Sequence, residues 1–293
     1  MVQGIDALKA ALRERLGQRQ NVTPAERRAK TDMIARFGAP DARMPSTPVM
    51  LGNVPAARFD PAEARHGGCV IYVHGGAFVA GSSTSHAYIA SRLATGLGAP
   101  VFALDYRLAP EHVYPAALED VMVAVDAAAA LFGSRNDVAL AGDSAGGSLA
   151  LLAALRLRDG GDNVRCLAVI SPVLDFQCSA DSYDGLRDRD PFINRSGLMQ
   201  DIAAFLGPTA PDCSELSPLT CGLSGLPPLL IQVGSEEVLI DDAIALEKKV
   251  REAGGRVELN IWPDMVHVWH LFPHYVEEAD QAIAEIVAFL GRN

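Results

Sequence analysis

The stretch that most constrains this chain is Val138-Ala139-Leu140-Ala141-Gly142-Asp143-Ser144-Ala145-Gly146-Gly147. An apolar, strand-like run enters Gly-x-Ser-x-Gly, and an apolar, helix-favouring segment follows over 148–157. A serine that attacks a carbonyl has to stand clear of its own backbone. A sharp turn from strand to helix achieves this, but it strains the serine's φ/ψ and crowds the residues two before and two after it. Gly142 and Gly146 remove the side chains that would collide there. The helix that follows also aims its N-terminal amides at the serine, where negative charge develops during attack. The motif alone also fits a plain turn, so the rest of the chain has to supply partners for Ser144.

The bulk properties narrow the setting. A chain of 293 residues, 49% of them hydrophobic, can form one large α/β domain or two small ones around an ample apolar core. A net charge of −11 argues against nucleic-acid or anionic-membrane partners. No apolar run reaches the eighteen or so residues of a membrane span, and residues 1–20 carry charges where a secretory signal needs an apolar stretch. The five cysteines (Cys69, Cys166, Cys178, Cys213 and Cys221) are odd in number and lack C-x-x-C spacing. A reduced, cytoplasmic protein with no disulfide framework is expected.

Ile5, Leu8, Leu12 and Leu16 recur at helical spacing. Thr23-Pro24-Ala25-Glu26 reads as a capped start to a second helix that ends near Phe37-Gly38. Residues 39–55, with four prolines, read as a linker entering the first strands. Strands are then predicted over 69–74, 100–104, 138–141, 165–171, 228–233 and 256–261. Helices are predicted over 85–97, 115–131, 145–158, 241–253 and 275–290. The central strands are continuously apolar, as in a mostly parallel sheet with helices on both faces. Residues 176–226 break the rhythm, with one helical stretch over 196–206, and read as an insertion able to form a lid with the N-terminal helices.

Upstream of the serine, Val70-Ile71-Tyr72-Val73-His74-Gly75-Gly76-Ala77-Phe78 is a strand running into a glycine turn. Residues without side chains let backbone N–H groups face outward together, as a tetrahedral oxyanion requires. We assign an oxyanion hole to Gly75, Gly76, Ala77 and Ala145, with donors from the last three and Gly75 shaping the loop. Each such donor is worth about 3 kcal/mol in the transition state.

For a general base, His267 lies in a loop after the last strand, where a sheet presents groups at its carboxyl edge. His267, His270 and His274 could share a helical face, but no H-E-x-x-H pattern or further carboxylate accompanies them, so no metal site is expected. His270 reads as structural, His74 as orienting the glycine loop, and His66, His86 and His112 as surface or loop-packing residues. For the acid that steadies the base, Glu236 and Glu237 both stand just beyond a strand, while Asp241 and Asp242 suit the start of the next helix.

Together these residues resemble the hormone-sensitive-lipase family of α/β-hydrolases, the bacterial carboxylesterase group. The likeness rests on His74-Gly75-Gly76-Ala77, Asp105-Tyr106-Arg107-Leu108-Ala109-Pro110-Glu111, Gly142-Asp143-Ser144-Ala145-Gly146-Gly147 and Met265-Val266-His267-Val268-Trp269, in that order from about Val54 onward. It implies an α/β-hydrolase fold with a catalytic domain over 51–175 and 227–293, and a cap made of 1–50 and 176–226. It implies a triad of Ser144, Glu237 and His267, the acid being placed by laying Glu237-Val238-Leu239 on the family's D-x-L pattern. Glutamate for aspartate there, and Ala77 where a third glycine is frequent, are the departures. The expected activity is hydrolysis of short- to medium-chain acyl esters with no cofactor and no metal, on a small-molecule ester. Acyl preference is expected from Leu198, Met199, Ile202, Phe205 and Leu206 in the cap. An acyltransferase on the same triad or a ligand-binding receptor of the same fold are the alternatives. The last strand and helix offer an edge for a homodimer. The 105–111 segment reads as bracing for the glycine turn.

Overall fold

Apolar strands with no alternation need cover on both faces, and the chain provides it. The computed structural model describes residues 3–16, 23–39, 45–65, 67–208 and 216–293. Eight strands form one sheet: β1 (Thr47–Leu51), β2 (Val54–Phe59), β3 (Cys69–Val73), β4 (Val101–Leu104), β5 (Val138–Asp143), β6 (Leu167–Ile170), β7 (Leu229–Gly234) and β8 (Val257–Trp262). Their spatial order is β1-β2-β4-β3-β5-β6-β7-β8. β1, β2 and β4 pair antiparallel, and every pairing from β4 to β8 is parallel. Strands β3 to β7 are buried at every residue.

The helices in chain order are α1 (Ile5–Leu16), α2 (Pro24–Gly38), α3 (Ala87–Leu97), α4 (Ala116–Phe132), α5 (Ala145–Asp159), α6 (Ser182–Gly185), α7 (Arg195–Leu206), α8 (Ile240–Glu252) and α9 (Glu278–Arg292). Successive strand residues point to opposite faces. Ile71 and Leu140 therefore join a core under α4, α5 and α8, while Val70 and Ala139 join one under α3 and α9. The stripe Leu8, Leu12 and Leu16 seats α1 in that second core. The start of α2 is a capping box: Thr23 N–H donates to Glu26 Oε2 at 2.8 Å, and Glu26 N–H to Thr23 Oγ1 at 3.3 Å. Among the described residues no helix is long and apolar enough to cross a membrane.

Three expectations need correction. The 39–55 linker contains strand β1, which begins at Thr47, ahead of the expected domain boundary at 51; residues 40–44 lie outside the described residues. Prolines hid this strand, yet β1 is a sheet edge, where Pro48 leaves no inner ladder position without a donor. The last helix starts at Glu278, because a 3₁₀ turn over Trp269–Leu271 and the turns after it occupy the expected first residues. Asp241 and Asp242 do more than open α8. Asp241 Oδ2 accepts the Ser182 N–H at 2.9 Å, and Asp242 Oδ2 accepts the Leu174 and Asp175 N–H groups at 3.0 Å each. With the Tyr183 hydroxyl donating to Asp242 Oδ2 at 3.1 Å, they tie the chain after β6 and the start of the 176–226 segment to α8. Burial pushes the Asp242 carboxyl up to about 7.

That segment also meets α2. The Arg27 guanidinium grips Asp201 of α7 through both carboxylate oxygens, and Arg28 reaches the Val79 carbonyl at 3.0 Å and Glu111 Oε2 at 2.6 Å. A very close approach of main chain lies where α5 leaves β5. A Cβ on Gly146 would sit 2.0 Å from the Val73 carbonyl oxygen and 2.4 Å from that of His74. Both neighbours are main chain and cannot rotate away. Gly146→Ala is expected to cost about 3 kcal/mol, seen as a lower urea midpoint; an unchanged midpoint would contradict the packing described.

Candidate active site

Ser144 sits between β5 and α5 with φ 52° and ψ −123°, a conformation that costs a non-glycine residue energy. The turn is held by its own main chain: Ser144 N–H donates to the Ile170 carbonyl at 2.8 Å, and its carbonyl accepts the Val173 N–H at 3.3 Å. The result is a side chain raised off the carboxyl ends of the parallel strands. His267 arrives on the loop after β8, with Nε2 3.1 Å from Ser144 Oγ. Its Nδ1 lies 2.9 Å from Glu237 Oε2. The carboxylate requires the proton on Nδ1, which leaves Nε2 to accept from the serine hydroxyl.

Glu237 is fully buried, and its other oxygen accepts the Ser171 hydroxyl at 2.7 Å and the Gly234 N–H at 2.6 Å. Glu236 faces elsewhere. Its carboxylate is held by the Arg189 guanidinium, with Nε 2.7 Å from Oε2, and by Lys9 Nζ at 3.4 Å. Geometry therefore separates the two glutamates that position after the strand left equivalent, and it puts against His267 the one that the resemblance implied. The His267 pKa stands above the usual imidazole value. Burial alone would lower it, and the hydrogen bond and charge of Glu237, with the charges of Asp190 and Asp143, outweigh burial.

The glycine turn lies against the serine. Among the described residues no protein acceptor takes the N–H of Gly76, Ala77 or Ala145, and Gly76, Ala77 and Ser144 line one cleft with His267. Ala77 holds φ 54°, a conformation glycine adopts more cheaply. Gly75 belongs to this turn as its shaping residue: its N–H donates to Asp143 Oδ1 at 3.0 Å, so it is bound within the fold and unavailable to an oxyanion.

Asp143 is the centre of this arrangement. Oδ1 also accepts the Tyr72 hydroxyl at 2.7 Å, and Oδ2 lies 3.2 Å from His86 Nε2. Burial opposes its charge, but His86 and these hydrogen bonds bring its pKa below the ordinary carboxylate value. His86, expected as a loop-packing or surface residue, is 3% exposed and lines the cleft. His74 donates from Nδ1 to the Gly75 carbonyl at 2.7 Å and stacks on Tyr106, whose hydroxyl donates to the His74 carbonyl at 2.8 Å. Burial and the neighbouring His86 lower the His74 pKa to about 4, so it stays neutral. The 105–111 segment thus braces the glycine turn, with the Ala109 N–H donating to the Phe78 carbonyl at 3.0 Å.

The remaining histidines separate. His270 is buried against Gln232 Oε1 at 2.8 Å, with burial lowering its pKa to about 3. The 3₁₀ turn over Trp269–Leu271 prevents 267, 270 and 274 from sharing one helical face, and no metal-holding group of three His, Cys, Asp or Glu occurs among the described residues. His66 lies outside the described residues. Leu198, Ile202, Phe205 and Leu206 do not line the cleft. They are buried in the core, Phe205 stacking on Phe78 at 4.0 Å, while Met199 is exposed. The apolar lining comes from Leu16, Phe192, Ile193, Val268 and Leu271. Reading by composition missed Phe192 and Ile193, which are turned inward when Asp190 Oδ1 accepts their N–H groups at 2.7 and 3.0 Å.

Residues 70–271 match the model of a family described as having the alpha/beta hydrolase fold. This chain belongs to that family. It is 40% identical over 247 residues to an acetyl-hydrolase of Streptomyces hygroscopicus, covering 84% of this chain and 82% of that one. An esterase of Acinetobacter venetianus is 31% identical over 284 residues, covering 96% and 93%. The crystal structure of an esterase from the bacterial hormone-sensitive lipase family superposes with a TM-score of 0.93 at 34% identity, covering 100% and 99%. The resemblance to that family read from the sequence motifs therefore holds for the whole chain.

An imidazole must be neutral to take a proton, so activity should rise with pH through the raised His267 pKa. The ascending limb of kcat/KM against pH is expected above the ordinary imidazole value. Glu237→Gln removes the anion, and should move the limb to lower pH while slowing turnover by about 10²–10⁴-fold. A limb that stays in place in the variant would show that Glu237 does not set the base.

Proposed function

We propose that this carboxylic ester hydrolase is a serine carboxylesterase acting on short- to medium-chain acyl esters through an acyl-serine intermediate. The observation that carries the reading is the continuous run from Ser144 Oγ to His267 at 3.1 Å and from His267 to Glu237 at 2.9 Å, beside three uncommitted backbone N–H groups. Ser144 Oγ bonds to the ester carbonyl carbon while its proton passes to His267 Nε2. The carbonyl oxygen becomes an oxyanion held by the Gly76, Ala77 and Ala145 amides. The C–O bond to the alcohol then breaks, and the leaving oxygen takes the proton from Nε2. Water repeats the sequence: His267 takes its proton, the hydroxide oxygen bonds to the acyl carbon, and Ser144 Oγ leaves with the proton returned. Glu237 holds the ring in place and stabilises the imidazolium between steps. The chain's own groups make every transfer, so the reading needs no cofactor and no metal.

The helices α1 and α2 with residues 176–226 are read as a cap over this chemistry. Leu16 and Arg27 from the first part and Phe192 and Ile193 from the second meet on the cleft wall. The hollow of this open cleft is about 120 Å³. A hollow of this size supports the reading of small esters.

Hydrolysis of p-nitrophenyl esters from acetate to dodecanoate tests the reading in wild type and Ser144→Ala. We expect activity to fall with chain length, and to drop at least about 10³-fold in the variant. Intact mass of quenched wild type should show one acyl group added, lost in the variant. Undiminished activity in Ser144→Ala would remove this serine as the nucleophile.

A further inference from the structure

The cleft has a charged side that the ester reaction does not use. Helix α2 contributes Arg27, Lys30 and Thr31 to the same wall that carries Ser144 and His267. Arg27 is neutralised by its bidentate pairing with Asp201, a carboxylate 4% exposed. The Thr31 hydroxyl donates to the Arg27 carbonyl at 3.1 Å. Lys30 is half-buried and, among the described residues, makes no hydrogen bond or ion pair. Glu26, one helical turn back, is the acid that could have paired with it, but its carboxylate is held by the Thr23 N–H and hydroxyl at 2.8 and 2.9 Å. Asp32 on the same helix accepts the Ser82 hydroxyl at 3.2 Å. The acid on the cleft wall, Asp143, is enclosed by Tyr72, Gly75 and His86. Among the described residues the Lys30 ammonium thus has no carboxylate within ion-pair distance, and the charge of Glu26 reaches it only from one turn back, on a cleft wall whose other cation is already paired.

An unpaired, partly desolvated ammonium favours an anion brought in by the ligand. We propose that Lys30 selects esters bearing a second, anionic group, a carboxylate remote from the scissile carbonyl. The proposal rests on the esterase reading and adds the substrate class. Ser144 attacks the ester carbonyl as before, and Lys30 binds the carboxylate without entering the chemistry. Lys30 is a specificity residue on this assignment. The carboxylate can belong to the alcohol or to the acyl part.

Two matched pairs of substrates distinguish the two. 4-Acetoxybenzoate against its methyl ester places the anion on the alcohol side. Mono-p-nitrophenyl succinate against its methyl ester places it on the acyl side. The readout is the ratio of kcat/KM for the acid to that for its methyl ester, in wild type, Lys30→Gln and Lys30→Arg. For one pair, Lys30→Gln should lower the ratio about tenfold, the size of one charge-assisted contact, and Lys30→Arg should restore most of it. A ratio unchanged within about twofold in both pairs overturns the proposal while leaving the esterase reading intact. Calorimetric binding of the same acids to Ser144→Ala, with and without Lys30→Gln, reads the contact without turnover. Weaker binding in the double variant supports the Lys30 contact even where hydrolysis itself fails, and equal binding overturns it.

Discussion

A single buried carboxylate holds the two halves of the site at a fixed separation. Asp143 is the last residue of β5, next to Ser144, and it receives the Gly75 N–H of the turn that follows β3. β3 and β5 are neighbours in the sheet, with Val73 opposite Gly142. The sheet register therefore sets the distance between Ser144 and the glycine turn, and Asp143 sets their orientation. The space is so close that a Cβ on Gly75 would lie 2.2 Å from Asp143 Oδ2. A buried carboxylate without partners would be costly, and removing one partner of such a group typically costs about 3–5 kcal/mol. Tyr72 and His86 supply the remaining contacts from the other core. The strained φ of Ser144 and Ala77 persists because this surrounding structure over-determines both turns.

The same logic extends outward along the acid's side. Glu237 and Glu236 are adjacent and point apart: one into the sheet edge toward His267, the other toward Arg189 and Lys9. The loop after β7 thereby connects the base with two segments distant in the chain. Asp190 continues the connection, accepting the Val238 N–H at 3.1 Å beside Glu237 while its other oxygen turns Phe192 and Ile193 into the cleft. Phe192 in turn lies 5.8 Å from the His267 ring, centre to centre. The shape of the cleft and the position of His267 thus depend on shared residues, so changes in the 176–226 segment are transmitted to His267 through packing and hydrogen bonds.

Much of this was legible in the chain. Continuous apolar runs marked the parallel strands, Gly142 and Gly146 marked the turn at Ser144, and Thr23 with Glu26 marked the start of α2. These are local signals, set by steric clash, side-chain periodicity and caps within a few residues. Proximity across the chain was not legible. Glu236 and Glu237 differ only in which way each faces, and that is decided by Gly234, Ser171 and Arg189 arriving from elsewhere. Gly75 read as a shaper of the loop, but nothing local showed that Asp143 takes its N–H, and His86 looked peripheral until the fold placed it on the same carboxylate. An acid between two apolar elements and a tyrosine inside a buried strand were the available hints, since each demands a partner. The sequence by itself determined the elements and the residue types able to do chemistry, because those follow from local physics. Only the tertiary structure decided which acid meets the base, which amides stay free and which cation is left unpaired, because these depend on contacts between distant segments.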